Sequence, residues 1–398
     1  MKKILLLFIV CPLLSFSQTD SLAKKEHVVA KKWYENLSIR GYSQIRYNRL
    51  LETNDKLVNE QGDKSWGNNG GVFVRRMRII FYGQINKNVY VYVQPDFASS
   101  PATDKLNFAQ LRDAYFDLGV DKENEFRFRI GQSKVPYGFE NMQSSQNRIP
   151  LDRNDALNSA VSNERDLGVF FYWAPKSKRQ LMSSLVNDGL KGSGDYGLFA
   201  LGVYNGQTAN SPELNNQPHV VSRFTYPFNV SSQTVELSLQ AYTGKYVVSN
   251  LSKNVKVNSD KNYLDQRAAA SFILYPKPFG IQAEYTIGKG PEFNKATDSI
   301  EVSPLHGGYI TASYMTKINH QILIPFVRYQ YYDGGKKHEL DARSYTVNEL
   351  EFGAEWQVNK NFELVVNYTM SRRRFEDFAK QDNYQIGNLL RIQAQVNF

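Results

Sequence analysis

The chain has 398 residues, 41% of them hydrophobic, with 25 tyrosines, 24 phenylalanines, one cysteine, a formal charge of +9 and a mean hydropathy of −0.49. Beyond the N-terminus no run approaches the ~18–20 continuous apolar residues of a spanning helix, which excludes a helical membrane bundle. So many rings and aliphatic side chains equally exclude a disordered chain.

At the N-terminus, Lys2 and Lys3, the apolar run from Ile4 to Leu14 and the triplet Ser15-Phe16-Ser17 read as the three regions of a secretory signal spanning 1–17. Cys11 follows Val10, where a lipoprotein signal would place a small residue, and this argues against lipidation. Signal removal would leave a chain without cysteine, and so without a disulfide framework or a cysteine-based zinc site. Residues 18–37 are polar and lysine-rich and are expected to form a periplasmic segment outside the main fold.

From Ser38 onward the period becomes two. In 88–96, Val89, Val91 and Val93 alternate with Tyr90, Tyr92, Gln94 and Asp96; in 125–133, Phe126, Phe128 and Ile130 alternate with Arg127 and Arg129. This is strand periodicity, and about 16 such segments of roughly 8–12 residues follow one another. They centre on Gln44, Met77, Tyr92, Ala114, Phe128, Phe170, Leu201, Arg223, Leu239, Ser271, Ala283, Ala312, Phe326, Phe352, Val366 and Ala394. Short turns such as 86–88, 121–124, 276–278 and 359–361 alternate with long polar connections, as in an outer-membrane barrel with short periplasmic turns and long external loops. Segment 175–195 breaks the alternation, being long where a short turn is expected. The expected fold is all-β: a transmembrane antiparallel barrel over 38–398.

Two further signals favour a membrane barrel over a soluble sandwich. Leu390, Ile392, Ala394 and Val396 share the outward face of a last strand that ends in Phe398, a pattern resembling the outer-membrane assembly signal. Tyr47, Phe73, Phe97, Trp173, Tyr226, Tyr275, Tyr332 and Trp356 lie near strand ends, where an interfacial aromatic girdle belongs.

A barrel of this size encloses a lumen, so passive diffusion is the default function, and the chain is too short to add a plug domain to a larger transporter barrel. Parity turns Arg76, Arg78, Arg127, Arg129, Arg223 and Arg328 inward. The long loop 134–165 contributes Lys134, Arg148, Arg153 and Arg165 if it folds into the lumen. Guanidinium forks bind oxyanions bidentately and keep their charge, so these residues make a candidate anion path. The same parity also turns Asp96, Asp113, Asp117, Glu236, Glu284, Glu349, Glu351 and Glu355 inward. The blander expectation is therefore that the arginines serve as counter-ions.

The segments Arg75-Arg76-Met77-Arg78-Ile79-Ile80-Phe81-Tyr82-Gly83, Leu111-Arg112-Asp113-Ala114-Tyr115-Phe116-Asp117 and Arg129-Ile130-Gly131-Gln132-Ser133-Lys134-Val135-Pro136-Tyr137-Gly138 resemble the phosphate-selective porin O and P family. Arg165-Asp166-Leu167-Gly168 and Tyr204-Asn205-Gly206 fit as well. The resemblance implies a 16-stranded porin in the outer membrane of a Gram-negative bacterium, commonly trimeric, with an inward-folded third loop and an arginine-lined path for phosphate or related small anions. Lys245, Lys253, Lys256 and Lys261 are scattered and do not form a dense lysine cluster in the fifth long loop. Outer-membrane lipid, the barrel assembly machinery and a homotrimer are the implied partners.

Other classes find less support. The five histidines, His27, His219, His306, His320 and His338, read as leader, loop or turn residues without a recurrent serine or acid partner, so catalysis is not expected. No phosphate-binding glycine loop or metal motif occurs, so no cofactor or metal is expected. Export and the absence of a basic recognition helix argue against nucleic acid as a partner. A non-selective diffusion pore and an occluded barrel serving as an adhesin or platform are the alternatives; conduction distinguishes the last from a porin.

Overall fold

The computed structural model describes residues 32–52, 71–98 and 108–398. The expected signal at 1–17, most of 18–37 and the connections 53–70 and 99–107 lie outside the described residues.

Alternating side chains produce seventeen strand segments among the described residues. They are β1 (Leu37–Glu52), β2 (Gly71–Gln84), β3 (Val89–Asp96), β4 (Gln110–Gly119), β5 (Phe126–Lys134), β6 (Arg165–Trp173), β7 (Phe199–Tyr204), β8 (His219–Val230) and β9 (Gln233–Val247). The remainder are β10 (Asn262–Leu274), β11 (Phe279–Asn294), β12 (Ser299–Tyr314), β13 (Thr316–Ile318), β14 (Gln321–Gly335), β15 (Ser344–Gln357), β16 (Phe362–Glu376) and β17 (Tyr384–Asn397). Successive crossings pair antiparallel, and β1 pairs with β17 from Tyr42↔Asn397 to Glu52↔Gly387, closing the sheet. β12 and β13 both pair with β14 and form one crossing interrupted at Met315, so the barrel has 16 strands. Each of the sixteen centres read from the sequence lies in its own crossing.

Closure satisfies the backbone without water, and the pleat then sorts the side chains. On β9, Leu237 and Leu239 are exposed on the outer wall while Glu236, Ser238 and Gln240 are buried inside. At the seam, Gly41 and Phe398 exchange backbone hydrogen bonds of 2.7 and 3.0 Å. The Phe398 ring lies where a Cβ at Gly41 would stand, 2.6 Å from its nearest atoms, so only glycine fits beneath it.

Four sequence expectations change. Tyr275 and Tyr332 are not girdle residues but point inward, fully buried: the Tyr275 hydroxyl donates to Glu236 and that of Tyr332 to the Gly335 carbonyl. Their positions along the strand suit a girdle, but their parity does not. His219 and His306 lie in β8 and β12, not in loops, and His219 is stacked on Tyr242.

Segment 175–195 does not form a turn. It holds a twelve-residue helix (Lys176–Asn187), and 135–164 carries two one-turn helices, Phe139–Met142 and Asp155–Asn158. In chain order these are α1 (Phe139–Met142), α2 (Asp155–Asn158) and α3 (Lys176–Asn187). Buried Met182 and Leu185 sit three apart on one face of α3, as helical periodicity requires. Met182 packs with Ala174 and Leu198, and Leu185 with Phe139, Ile273 and Tyr275.

The apolar core lies inside the barrel. Val135, Tyr137, Leu157, Ala160 and Val161 of the β5–β6 loop pack against inward Phe170, Tyr172, Ala200, Tyr204, Val221 and Tyr242. Where the wall receives the loop instead of water, it thus carries an apolar and aromatic cluster.

Candidate solute pathway

The β5–β6 loop crosses the lumen on polar anchors. Glu284 accepts the backbone N–H groups of Phe139 and Glu140 at 2.6 and 2.8 Å and the hydroxyls of Ser271 and Tyr309 at 2.7 and 2.8 Å. Glu140 accepts from the Asn154 backbone at 2.6 Å and from Arg328 at 3.1 Å, and both residues of this ion pair are fully buried. The Asn154 side chain caps α2 through the Ala156 and Leu157 N–H groups and donates to the Gly308 carbonyl. Toward the opposite wall, the Ser145 hydroxyl meets Tyr42 at 2.6 Å, and Asp152 receives Arg46 at 2.9 Å and also pairs with Arg391.

The predicted cations fall into three groups. Arg127, Arg129, Lys134 and Arg165 stand together on the β5–β6 wall. Arg129 and Arg165 grip Asp117 and Asp113 bidentately at 2.7–2.9 Å, Arg127 meets Asp195 at 2.9 Å, and Lys134 donates to the Met142 and Gln143 carbonyls. Arg76, Arg78 and Arg148 converge beside Tyr42 and Gln44. Arg78 is paired with Asp96 at 2.7 Å, but among the described residues Arg76 donates only to the neutral Gln44 amide and Arg148 only to the Leu151 carbonyl. Buried Nε of Arg76 and Nε and Nη1 of Arg148 have no acceptor among the described residues. Burial, with Arg153 alongside, pushes Arg148 down to about 9, so it remains a cation at neutral pH.

The third group is structural in its contacts. Arg153 ties Glu164 at 2.7 Å to the Glu140 and Gln143 carbonyls, Arg328 holds Glu140, and Arg223 pairs with Glu236 on the neighbouring strand at 3.0 Å. Each inward carboxylate read from parity has a partner. Glu349 pairs with Arg373, Glu351 with Arg391 at 3.4 Å, and Glu355 with Lys191 beyond α3.

Several charged residues of this network were not read as such from the sequence. Arg46, Arg267, Arg373 and Arg391 obey the same alternation and were within reach of a fuller parity reading. Arg112 was not. The register slips between Gln94 and Pro95, and the bulge leaves Arg112 and Asp113 both buried inside, where strict alternation would turn one to lipid. A second slip opposite Gln44 and Ile45 places Arg75 between the paired residues Arg76 and Val74, and its guanidinium reaches Asp152 at 3.4 Å.

What the loop leaves open is a chamber of about 580 Å³ against β1–β5. Arg40, Tyr82, Tyr90, Tyr92, Tyr115, Arg127 and Arg129 line its wall, Ser144 and Asn147 its loop side, and Arg179, Ser183, Asn187 and Tyr196 the end carrying α3. Gln143 donates to the Lys191 carbonyl at 2.5 Å, so the loop and the α3 segment meet at the chamber's edge.

The family model for phosphate-selective porin O and P matches residues 53–398. The chain belongs to that family. A search of curated sequences finds no match. Among solved structures, this porin resembles the outer membrane channel DcaP of Acinetobacter baumannii, at 14% identity and TM-score 0.55 over 91% of this chain and 97% of that one. It also resembles the trimer form of OmpT of Vibrio cholerae, at 10% identity and TM-score 0.51 over 91% and 99%. The anion-selective porin from Comamonas acidovorans is similar at 8% identity and TM-score 0.51, over 91% and 99%. At these identities the likeness is one of fold. Family and fold together make this porin an outer-membrane channel.

Proposed function

We propose that the protein is a passive channel for small anions, with phosphate or a related oxyanion as the preferred solute, working as a homotrimer in the outer membrane of a Gram-negative cell. The observation that carries the reading is the Arg76–Arg148 cluster: among the described residues neither guanidinium has a carboxylate partner and each keeps a buried nitrogen without an acceptor, whereas Arg78, Arg127, Arg129, Arg165, Arg223 and Arg328 are ion-paired. An oxyanion supplies the missing acceptors and charge, and guanidinium geometry suits it. The trimer draws support from the OmpT trimer form, which shares the fold. Phe398, exposed at the seam after an outward apolar face, is the residue proposed to be read by the barrel assembly machinery.

A weakly selective pore is the second reading, favoured by the pairing of Arg78, Arg129, Arg165 and Arg223 with lumen acids. The test is the reversal potential of the purified protein in a planar bilayer across a potassium chloride gradient, followed by phosphate titration. Anion selectivity that falls in an Arg76→Ala/Arg148→Ala variant supports the first reading. Conduction without charge preference, unchanged in the variant, refutes it in favour of the second.

A further inference from the structure

The chamber against β1–β5 offers chemistry that an inorganic anion does not use. Tyr82 pairs across from Tyr92, and Tyr92 across from Tyr115, so three tyrosines stand at one level on adjacent strands, with the Tyr92 and Tyr115 rings stacked at 5.2 Å. A guanidinium closes each end of the row: Arg40 lies 5.2 Å from the Tyr82 ring and Arg129 4.0 Å from that of Tyr115. Tyr90 stands one step along β3 on the same face, and Tyr196 faces them from beyond α3.

The charged groups here are largely consumed. Asp117 and Asp113 are held by Arg129 and Arg165, and Asp195 by Arg127 and Arg179. The free capacity is neutral apart from one guanidinium. Among the described residues, the hydroxyls of Tyr82, Tyr90, Tyr115 and Tyr196 have no hydrogen-bond partner, and Arg40 has neither an acceptor nor an ion-pair partner. A phenol hydroxyl both donates and accepts, whereas inorganic phosphate near neutral pH presents mainly acceptor oxygens and few hydroxyls. A wall of such groups matches a solute whose own hydroxyls do both, and the unpaired guanidinium at its edge matches one acidic substituent. The volume lies in the range of small-molecule sites.

We propose that this chamber is a binding site for a small sugar bearing one anionic group, a sugar acid or sugar phosphate, with the tyrosine hydroxyls reading the ring hydroxyls and Arg40 the charge. The proposal rests on the reading of the barrel as an open channel, but binding is measured without conduction. Saturation-transfer difference NMR on the detergent-solubilised protein is run with glucuronate, glucose 6-phosphate and glucose as observed ligands and inorganic phosphate as competitor. Both charged sugars are expected to give saturation transfer, glucose at least about tenfold weaker, and phosphate to displace neither at equal concentration.

A Tyr82→Phe/Tyr90→Phe/Tyr115→Phe/Tyr196→Phe variant keeps the rings and the packing and is expected to weaken binding of the charged sugars by about tenfold or more. Arg40→Gln is expected to remove the preference over glucose. Transfer to glucuronate alone, or to glucose 6-phosphate alone, identifies the acid as carboxylate or phosphate and supports the site. No transfer to either, undiminished binding by the four-Phe variant, or displacement by equimolar phosphate overturns it. Planar-bilayer conductance of the same preparation reports separately on the channel, so a conducting protein without sugar binding refutes the site alone.

Discussion

Breaking the Arg328–Glu140 ion pair tests whether the loop across the lumen is held by a few buried charges. Both side chains are fully buried at 3.1 Å. Glu140 also accepts the Asn154 backbone N–H, and Arg328 donates to the Asp152 carbonyl and lies 4.6 Å from the Tyr309 ring. Glu140→Ala leaves a buried guanidinium without its carboxylate, a loss of about 3–5 kcal/mol. Because Glu140 sits on the loop and Arg328 on the wall, the loss falls on the docked state of the loop. At 1.4 kcal/mol per decade it shifts docking by roughly two to more than three decades. Arg223→Ala is the control: its pair with Glu236 at 3.0 Å is as buried, but joins two neighbouring strands. The expected result is a larger, noisier single-channel conductance and trypsin cleavage at Arg148 or Arg153 in Glu140→Ala, with neither change in Arg223→Ala. Conductance and cleavage in Glu140→Ala equal to the unmodified protein, in barrels that remain heat-modifiable, would refute the anchoring role.

Leu185→Asp places an unpaired carboxylate between Phe139 and Tyr275, so α3 should leave the barrel mouth and raise single-channel conductance while the barrel still resists denaturation in unheated gels; unchanged conductance would show that α3 does not limit flow. Removing Phe398 takes away the backbone pair with Gly41 and the outward terminal ring, and should lower the yield of inserted, heat-modifiable barrel in outer-membrane fractions. Glu164 in the loop is buried, which by itself would raise its carboxyl, but Arg153 and Arg165 hold it well below the usual carboxylate range. A depressed carboxyl stabilises fully above its unfolded value of about 4.3 and loses that contribution as pH falls further. Trypsin-resistant loop, assayed after brief acid exposure and return to neutral pH in a trapping cross-link format, should therefore be constant down to about pH 5 and fall below about pH 4, with Glu164→Gln lacking this step.

Much of the fold and part of the pathway are legible in the sequence, for a local reason. Alternation of side chains is a property of neighbouring residues, and only closure into a barrel satisfies sixteen such strands in lipid, so the crossings and the inward faces of Arg76, Arg78, Arg127 and Arg129 follow from the order of residues alone. The same reasoning misplaces Tyr275 and Tyr332, because closeness to a strand end does not say which face a ring occupies. It overlooks Arg112, because a bulge shifts alternation by one residue and is set by how two strands pair.

Which charges neutralise each other, and where space remains, depends on contacts between residues far apart in the chain. Glu284 is an inward acid by parity, yet nothing local says that it receives the backbone of a loop some 145 residues away, or that Arg328 meets Glu140 across 188 residues. The helix at Lys176–Asn187 gives up a short turn for apolar contacts with Phe139, Ile273 and Tyr275, partners distant in the chain. Residue order alone is enough for a barrel with a charged interior; the course of one loop, fixed by buried long-range partners, sets which arginines lack a carboxylate and leaves the chamber against the tyrosine wall of β1–β5.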